Sequence, residues 1–461
     1  MTSPLVPAAV EARAESRQRL PFGFGGRFFM ALLLGLLWLI PAWWWPRLVA
    51  AMFLWDGLVL CVWLFDLRRL PPPSCLVTRR AWNTAPSLAR PNSVSVGIQN
   101  RGRCRIHASL IDETPLSVRS QPPSLSAVLP AGDSASQQYT ILPRERGDVR
   151  FGDLFIRYRT RLDFAQRWAV ARLSQTARIL PDLTEARDQA LFLIRSRQIE
   201  MEKRRRRGLG REFESLREYR QGDDPRDICW PATARRHQLT TRIYEAERSQ
   251  VVWLVVDAGR LLRAQVRNSQ RAVPLSKLDY AVNAALSIAQ VAMQSGDRVG
   301  LLAYGRSIQQ LVAPGRGRLH IRALVDSLAQ VRCEPAEANH ALAVRSLLQR
   351  QPRRSLVVWI TDFAETPATP EVIESALQMG RRHLVLFAAV SQPDLTAVAE
   401  AIPQTEDEMF RHAAALEIVQ RRELLLRGLR QSGVLAMEQF PGSLTTSLVN
   451  HYLEIKDRGR L

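Results

Sequence analysis

SQVVWLVVD, Ser249 to Asp257, and SLVVWITD, Ser355 to Asp362, are near-continuous apolar runs, and each closes on an aspartate. A strand with one wet face alternates apolar and polar residues, whereas a strand covered on both faces reads as an unbroken run. RVGLLAYG from Arg298 and HLVLFAAV from His383 repeat the second pattern. Between them, Ser276 to Ser295 sets Leu278, Val282, Ala285, Ala289 and Met293 on one helical stripe. It opens with Ser276 and Asp279 at capping-box spacing and stops at Gly296. Alternation of buried strands with helices predicts a doubly wound parallel sheet over residues 250–397. Ligands of such sheets sit beyond the carboxyl ends of the strands, so Asp257 and Asp362 would share one rim.

On the C-terminal side, 398–461 reads as a helical extension. It comprises Thr405 to Ser432, opened by Thr405 and Glu408, and Ser443 to Lys456. On the N-terminal side, 185–249 is rich in arginine and acids and reads as mainly helix and loop. Further back, 74–184 alternates short runs such as SVSVGIQN (Ser93–Asn100), RIHASLID (Arg105–Asp112) and DLFIRYRT (Asp153–Thr160) with turn residues. Period-two alternation of this kind predicts a small antiparallel β-sandwich or barrel.

Residues 28–67 hold FFMALLLGLLWLIPAWWW (Phe28–Trp45) and LVAAMFLWDGLVLCVWLF (Leu48–Phe65), with only Pro46 and Arg47 between them. Each run approaches the roughly 20 residues of a spanning helix, which predicts two transmembrane helices after a tail over 1–27. Trp43, Trp44 and Trp45 suit an interfacial belt on the far side. Arg13, Arg17, Arg19 and Arg27 before the pair, and Arg68 and Arg69 after it, outweigh the single Arg47 in the turn, so both ends are expected in the cytoplasm. Asp56 interrupts the second run, where a carboxylate is expected to face another helix or lie near the interface. The 461 residues carry a net charge of +20, mostly as arginine, part of which marks the cytoplasmic side. Five scattered cysteines with no CxxC pair suit reduced structural thiols.

The segment Arg205 to Glu247 contains RRRGLGREFESLREYRQGDDPRDICWPATARR. It closely resembles the signature of the DUF58 family, with Cys229 where the family usually has an acid. The two strands ending in Asp257 and Asp362 resemble those of a von Willebrand factor A domain, whose cation site uses Asp-x-Ser-x-Ser, a separate Thr and a later Asp. Here Asp257 is followed by Ala258, Gly259, Arg260 and Leu261, and Asn339 and His340 stand near the expected threonine. The cation site therefore reads as degenerate, with Asp257 and Asp362 its remaining metal candidates and Arg260 a fixed charge where an ion would want ligands. No cofactor is expected, with Mg²⁺ at Asp257 and Asp362 the alternative.

The resemblance implies a bacterial inner-membrane protein, crossing twice, with a cytoplasmic A-like module presented to a MoxR-type AAA+ ATPase. Candidate protein contacts in the signature are Arg206, Arg207, Glu212, Arg217, Asp223, Arg226, Trp230 and Arg235. The chain lacks GxxxxGK[ST], GxSxG and HExxH motifs, and no enzyme activity is expected. The alternative is a nucleic acid or anionic lipid binder acting through the basic run 203–207. Nothing else characteristic of nucleic-acid recognition accompanies that run.

Overall fold

The computed structural model describes residues 6–16, 22–182, 212–220, 228–245, 250–266, 273–363 and 369–459. It divides into two units, Met1–Leu180 and Pro181–Leu461.

The first unit is built on β1 (Val10–Glu15), β2 (Phe22–Phe24), β3 (Leu76–Trp82), β4 (Asn92–Asn100), β5 (Ile106–Asp112), β6 (Ser124–Leu129) and β7 (Ser134–Ile141). Four more strands complete it: β8 (Gly147–Phe151), β9 (Leu154–Arg159), β10 (Ala165–Ala171) and β11 (Gln175–Ile179). Nine form one antiparallel sheet in the order β6-β5-β9-β10-β1-β3-β4-β7, with β2 also on β10, while β8 pairs with β11. The two ends of this path are joined by a turn with Gly132 at φ +78°, and the Gln137 side chain donates to the Ser126 carbonyl. The sheet therefore nearly closes into a barrel. Alternation does the sorting: in β4, Asn92, Val94, Val96, Ile98 and Asn100 are buried and the residues between them are not. Arg80 is fully buried inside, donating to Asp112 through Nε at 3.1 Å and to the Leu173 carbonyl at 2.7 Å.

Two features of this unit differ from expectation. The stretch 1–27, expected to be a tail, supplies β1 and β2: Ala12 lies opposite Thr78 of β3, Ala14 opposite Ala171 and Phe24 opposite Ala165 of β10. Its alternating face is only Val10, Ala12 and Ala14, too small a signal to stand out among charges. The apolar stretch also holds one helix long and apolar enough to cross a membrane, Pro46–Arg69, rather than two. The first run forms α1 (Gly26–Gly35), a tight 3-10 turn and α2 (Leu39–Ala42), because Pro41 lacks a backbone donor; α3 (Val49–Arg69) follows Pro46. Gly35 permits a close approach of α1 to α3, since a Cβ there would lie 2.7 Å from Trp55 Cδ1. Trp55 Nε1 donates to the Ala31 carbonyl at 2.8 Å. The half-buried Asp56 lies against the same glycine.

The second unit opens with β12 (Glu212–Glu218), α4 (Trp230–Arg236) and β13 (Thr240–Glu245). β12 and β13 pair antiparallel, where helix and loop were expected over 185–249. In β12 the apolar Phe213 and Leu216 stand three apart across a register shift, so the sequence shows no strand period there. Then come β14 (Val251–Asp257), the two-residue strands β15 (Gln265–Val266) and β16 (Leu275–Ser276), α5 (Lys277–Gln294), β17 (Arg298–Tyr304), β18 (Ile308–Gly315), α6 (Arg318–Gln330) and α7 (His340–Arg350). The unit closes with β19 (Leu356–Thr361), α8 (Thr369–Gly380), β20 (Leu384–Val390), α9 (Pro393–Glu400), α10 (Glu406–Gln431), β21 (Leu435–Gln439) and α11 (Pro441–Asp457).

Its six-stranded sheet runs β18-β17-β14-β19-β20-β21, parallel except for the edge strand β18. The stretch 398–461 is thus part of the sheet, through β21. Trp253, Val255, Trp359 and Phe387 pack with Val344, Leu347, Met379 and Leu426 in one core. Val252, Leu254 and Val256, pointing the other way by the period of two, are equally buried. That double covering is why β14 and β19 carry unbroken apolar runs. At the amino-end edge, Asp297 accepts from Lys456 Nζ at 2.8 Å, Gln250 N at 3.0 Å and Tyr452 Oη at 2.5 Å, fastening α11 to the sheet.

Candidate functional site

Strand order reverses between β14 and β19, and there the two aspartates end their strands. Both are buried and both are committed to partners within the chain. Asp257 Oδ1 accepts from Gly259 N at 2.7 Å and Oδ2 from Thr361 Oγ1 at 2.6 Å. The turn is tight: a Cβ on Gly259 would lie 2.9 Å from Ala338 N, and the Arg260 amide donates to the Ala336 carbonyl. Asp362 Oδ2 accepts from Lys277 Nζ at 2.7 Å. Its Oδ1 accepts from Arg422 Nη2 at 2.9 Å and from Phe363 N at 2.8 Å. Arg422 also reaches Glu438 Oε1 at 2.9 Å through Nε, donates to the Phe363 carbonyl and lies over the Phe363 ring.

Local structure explains how a lysine comes to be buried here. Ser276 caps α5 by accepting from Asp279 N, and Asp279 returns the bond to Ser276 N, which fixes the first turn. Lys277 is the first residue of that turn, beside the strand ends, where its Nζ also donates to the Val390 carbonyl at 3.4 Å. The next residue, Ser391, has a buried hydroxyl with no hydrogen-bond partner among the described residues.

Next to Asp257, Tyr304 Oη and His340 Nδ1 are 2.9 Å apart, and Trp359 Nε1 donates to Tyr304 Oη at 2.8 Å. Burial pushes the Asp257 carboxyl above its ordinary range, opposed by His340, the Thr361 hydroxyl and the Gly259 amide. Burial lowers His340, with Asp257, Glu371 and Glu337 pulling the other way. It also lifts Tyr304 well above its usual value, Asp257 adding to the effect. Burial works against the charge of Arg422, but Asp362 and Glu438 overcome it and raise its pKa.

These partners decide how the site fits a divalent ion. The ammonium of Lys277 already holds the Asp362 oxygen that an ion would need, and Arg422 holds the other. A hard cation wants several oxygens free to face it, and this donor set does not offer them. Among the described residues no three His, Cys, Asp or Glu side chains group as metal ligands. Arg260 does not take the role expected of it: it is exposed and pairs with Glu337 at 2.8 Å. Asn339 caps α7 by accepting from Leu342 N. Lys277, Arg422 and Thr361 were missed in the sequence, where only the lone lysine at the start of a wholly apolar stripe could have flagged the first.

In the signature, Trp230 is 65% exposed at the start of α4 and Arg235 is exposed near its end. The helix is bracketed by Cys229 N donating to Thr240 O at 2.8 Å and Tyr219 N to Leu239 O at 2.8 Å. Glu212 and Arg217 lie on β12, with side chains outside the described residues, as are Arg206, Arg207, Asp223, Arg226 and the run 203–207. The structure thus brings Asp257 and Asp362 to one rim.

Residues 215–405 match the family described as "Protein of unknown function DUF58". Uncharacterized proteins of Mycobacterium tuberculosis and Mycobacterium bovis are 31% identical over 158 residues, covering 34% of this chain and 48% of theirs. The chain thus spans about half the length of these curated relatives. Among solved structures, the conserved hypothetical protein BatB from Bacteroides thetaiotaomicron is 13% identical, covering 46% of this chain and 100% of that one, with a TM-score of 0.29. An uncharacterized membrane spanning protein from Vibrio fischeri is 13% identical over 46% of this chain and 98% of that one, with a TM-score of 0.19. Likenesses at that level carry no argument. The sequence match does: residues 215–405 of this chain match the DUF58 family.

Proposed function

We propose that this protein is a membrane-anchored, non-enzymatic scaffold that presents a cytoplasmic von Willebrand A-like module to a MoxR-type AAA+ ATPase. The observation that carries the non-enzymatic part is the rim itself. Both oxygens of Asp362 are held by the chain's own cations, Lys277 and Arg422, and both of Asp257 by Thr361 and Gly259. Groups so committed and so deeply buried fix the shape of a surface, whereas a general base or ligand must present an oxygen to its substrate. The sheet order and the two strand-end aspartates support the A-like reading, while the ATPase rests on the family resemblance alone.

Anchoring draws support from length. The 24 residues of Pro46–Arg69 span about 36 Å as a helix, enough for a bilayer core. A two-pass path draws support from pairing: β1 precedes the apolar stretch and its partners β3 and β10 follow it. Paired strands share one side of a membrane, so the stretch between them crosses an even number of times. The arginines at both exits favour the cytoplasmic side.

The test is capture of partners by the detergent-solubilised full chain, with ATP and Mg²⁺, beside the Trp230→Ala variant. An AAA+ ATPase recovered by the parent and reduced with the variant is the expected result. Recovery of nucleic acid alone, or of no ATPase, overturns the adaptor reading.

A further inference from the structure

The two exits of the apolar stretch converge on a single turn of the β unit. Gly25 N donates to Phe164 O at 2.7 Å and Arg27 N to Asp163 O at 3.3 Å. From the other exit, Asp66 accepts from Phe164 N at 3.1 Å, Ala165 N at 2.9 Å and the Thr160 hydroxyl. Trp63 packs with Phe24 at 5.0 Å between ring centres and donates to Gly23 O at 3.4 Å. A third loop joins them: Cys104 Sγ lies 3.1 Å from the Arg69 carbonyl, and Arg101 N donates to Cys75 O at 2.9 Å. The β unit is thereby fixed to the helices at many points and not hung from them by a linker.

That junction is ringed with exposed cations: Arg27, Arg68, Arg69, Arg101, Arg103 and Arg161. The acids nearby do not balance them. Asp66 is fully buried and used up by the turn, and Asp163 is paired with Arg159 at 2.6 Å; the exposed Asp133 beside Asn100 remains. Just on the membrane side, Phe24 and Phe29 are 41% and 54% exposed, and the Arg69 guanidinium lies 5.0 Å over the ring of Phe65. Aromatic rings against arginine forks, at the level where an apolar helix ends, match the chemistry of the headgroup layer. Guanidinium forks grip phosphate in two places at once.

We infer that this arginine collar binds the phosphates of anionic phospholipids, seating the β unit directly on the membrane surface. The inference rests on the membrane-anchor reading and is independent of the run 203–207.

The experiment places the full chain in nanodiscs of mixed phosphatidylglycerol and phosphatidylcholine, extracts it with its retained lipid and counts that lipid by native mass spectrometry. The expected result is enrichment of the anionic lipid by roughly tenfold, as a few charges at an anionic surface provide, falling as salt rises. Replacing all six arginines by Gln removes the enrichment; Arg316→Gln with Arg318→Gln, in the other unit, leaves it. Equal retention of both lipids by a chain that does enter the discs overturns the collar and leaves the anchor standing. A chain that enters no disc overturns both. Displacement of the lipid by millimolar inorganic phosphate overturns it in favour of a free-phosphate site.

Discussion

Lys277 Nζ lies 2.7 Å from Asp362 Oδ2, the two side chains 2% and 5% exposed and 85 positions apart in the chain. An ammonium thus stands on the strand-end carboxylate at the rim of the sheet. Breaking such a buried pair from one side leaves an uncompensated charge.

Lys277→Met is therefore expected to destabilise the protein by about 3–5 kcal/mol. Arg422 still holds the other oxygen of Asp362, which favours the lower end. Adding Asp362→Leu to Lys277→Met is expected to recover only part of the loss while Arg422 remains, because Arg422 then keeps Glu438 but loses its second carboxylate; replacing Arg422 as well recovers more. Urea unfolding of the single, double and triple variants measures this; additive losses would refute the network.

Thr361→Val removes the hydroxyl from Asp257 Oδ2 while keeping the shape. A loss of about 1–3 kcal/mol is expected from the unpaired carboxylate oxygen, read as the shift of the unfolding midpoint. Asp257→Asn in the same background is expected to be milder than its cost in the parent, since the charge no longer needs the hydroxyl.

The buried His340, with its pKa below the ordinary 6.5, binds fewer protons folded than unfolded near that pH. Its contribution is fully present above 6.5 and is lost as the pH falls through the window below it. His383 is lowered too and acts in the same sense. Asp257 acts oppositely, since its raised pKa favours the folded chain as the pH falls. The slope of stability against pH between 7 and 5.5 should therefore flatten in His340→Gln relative to the parent, and an unchanged slope would contradict the assignment.

A ligand that binds only the folded state raises stability by RT ln(1 + [L]/Kd). With Lys277 on Asp362, millimolar Mg²⁺ is expected to leave the thermal midpoint where it is, and chelator likewise. A saturable rise with Mg²⁺ would show that the ion displaces the lysine.

Pairing of β1 with β3 and β10 makes a prediction about sidedness. Single cysteines placed at Glu11 and at Asp457, in a chain whose own cysteines are replaced, should both be labelled from the same side of sealed vesicles. A cysteine at Trp44, at the far end of the first apolar run, should be labelled from the opposite side.

Much of the second unit was legible because its signals are local. Unbroken apolar runs such as Val251–Asp257 and Leu356–Thr361 specify strands covered on both faces, and they are. The caps Ser276 with Asp279 and Thr405 with Glu408 form as their spacing dictates, since a capping box needs only residues three apart. The rim pairing Asp257 with Asp362 followed from the strand ends and a topological rule.

What stayed hidden depends on partners far along the chain. Nothing local to Val10–Glu15 says that it will lie between β3 and β10, because a strand's edges are satisfied by whichever partners the fold brings. Nor does Lys277 announce Asp362 and Val390, or Arg422 announce Asp362 and Glu438. A buried charge is tolerated only where the crossing of distant elements supplies its counter-charge. The residues thus wrote the strands, the caps and the family; the assembled sheet alone decided that the chain's own cations would sit on its rim.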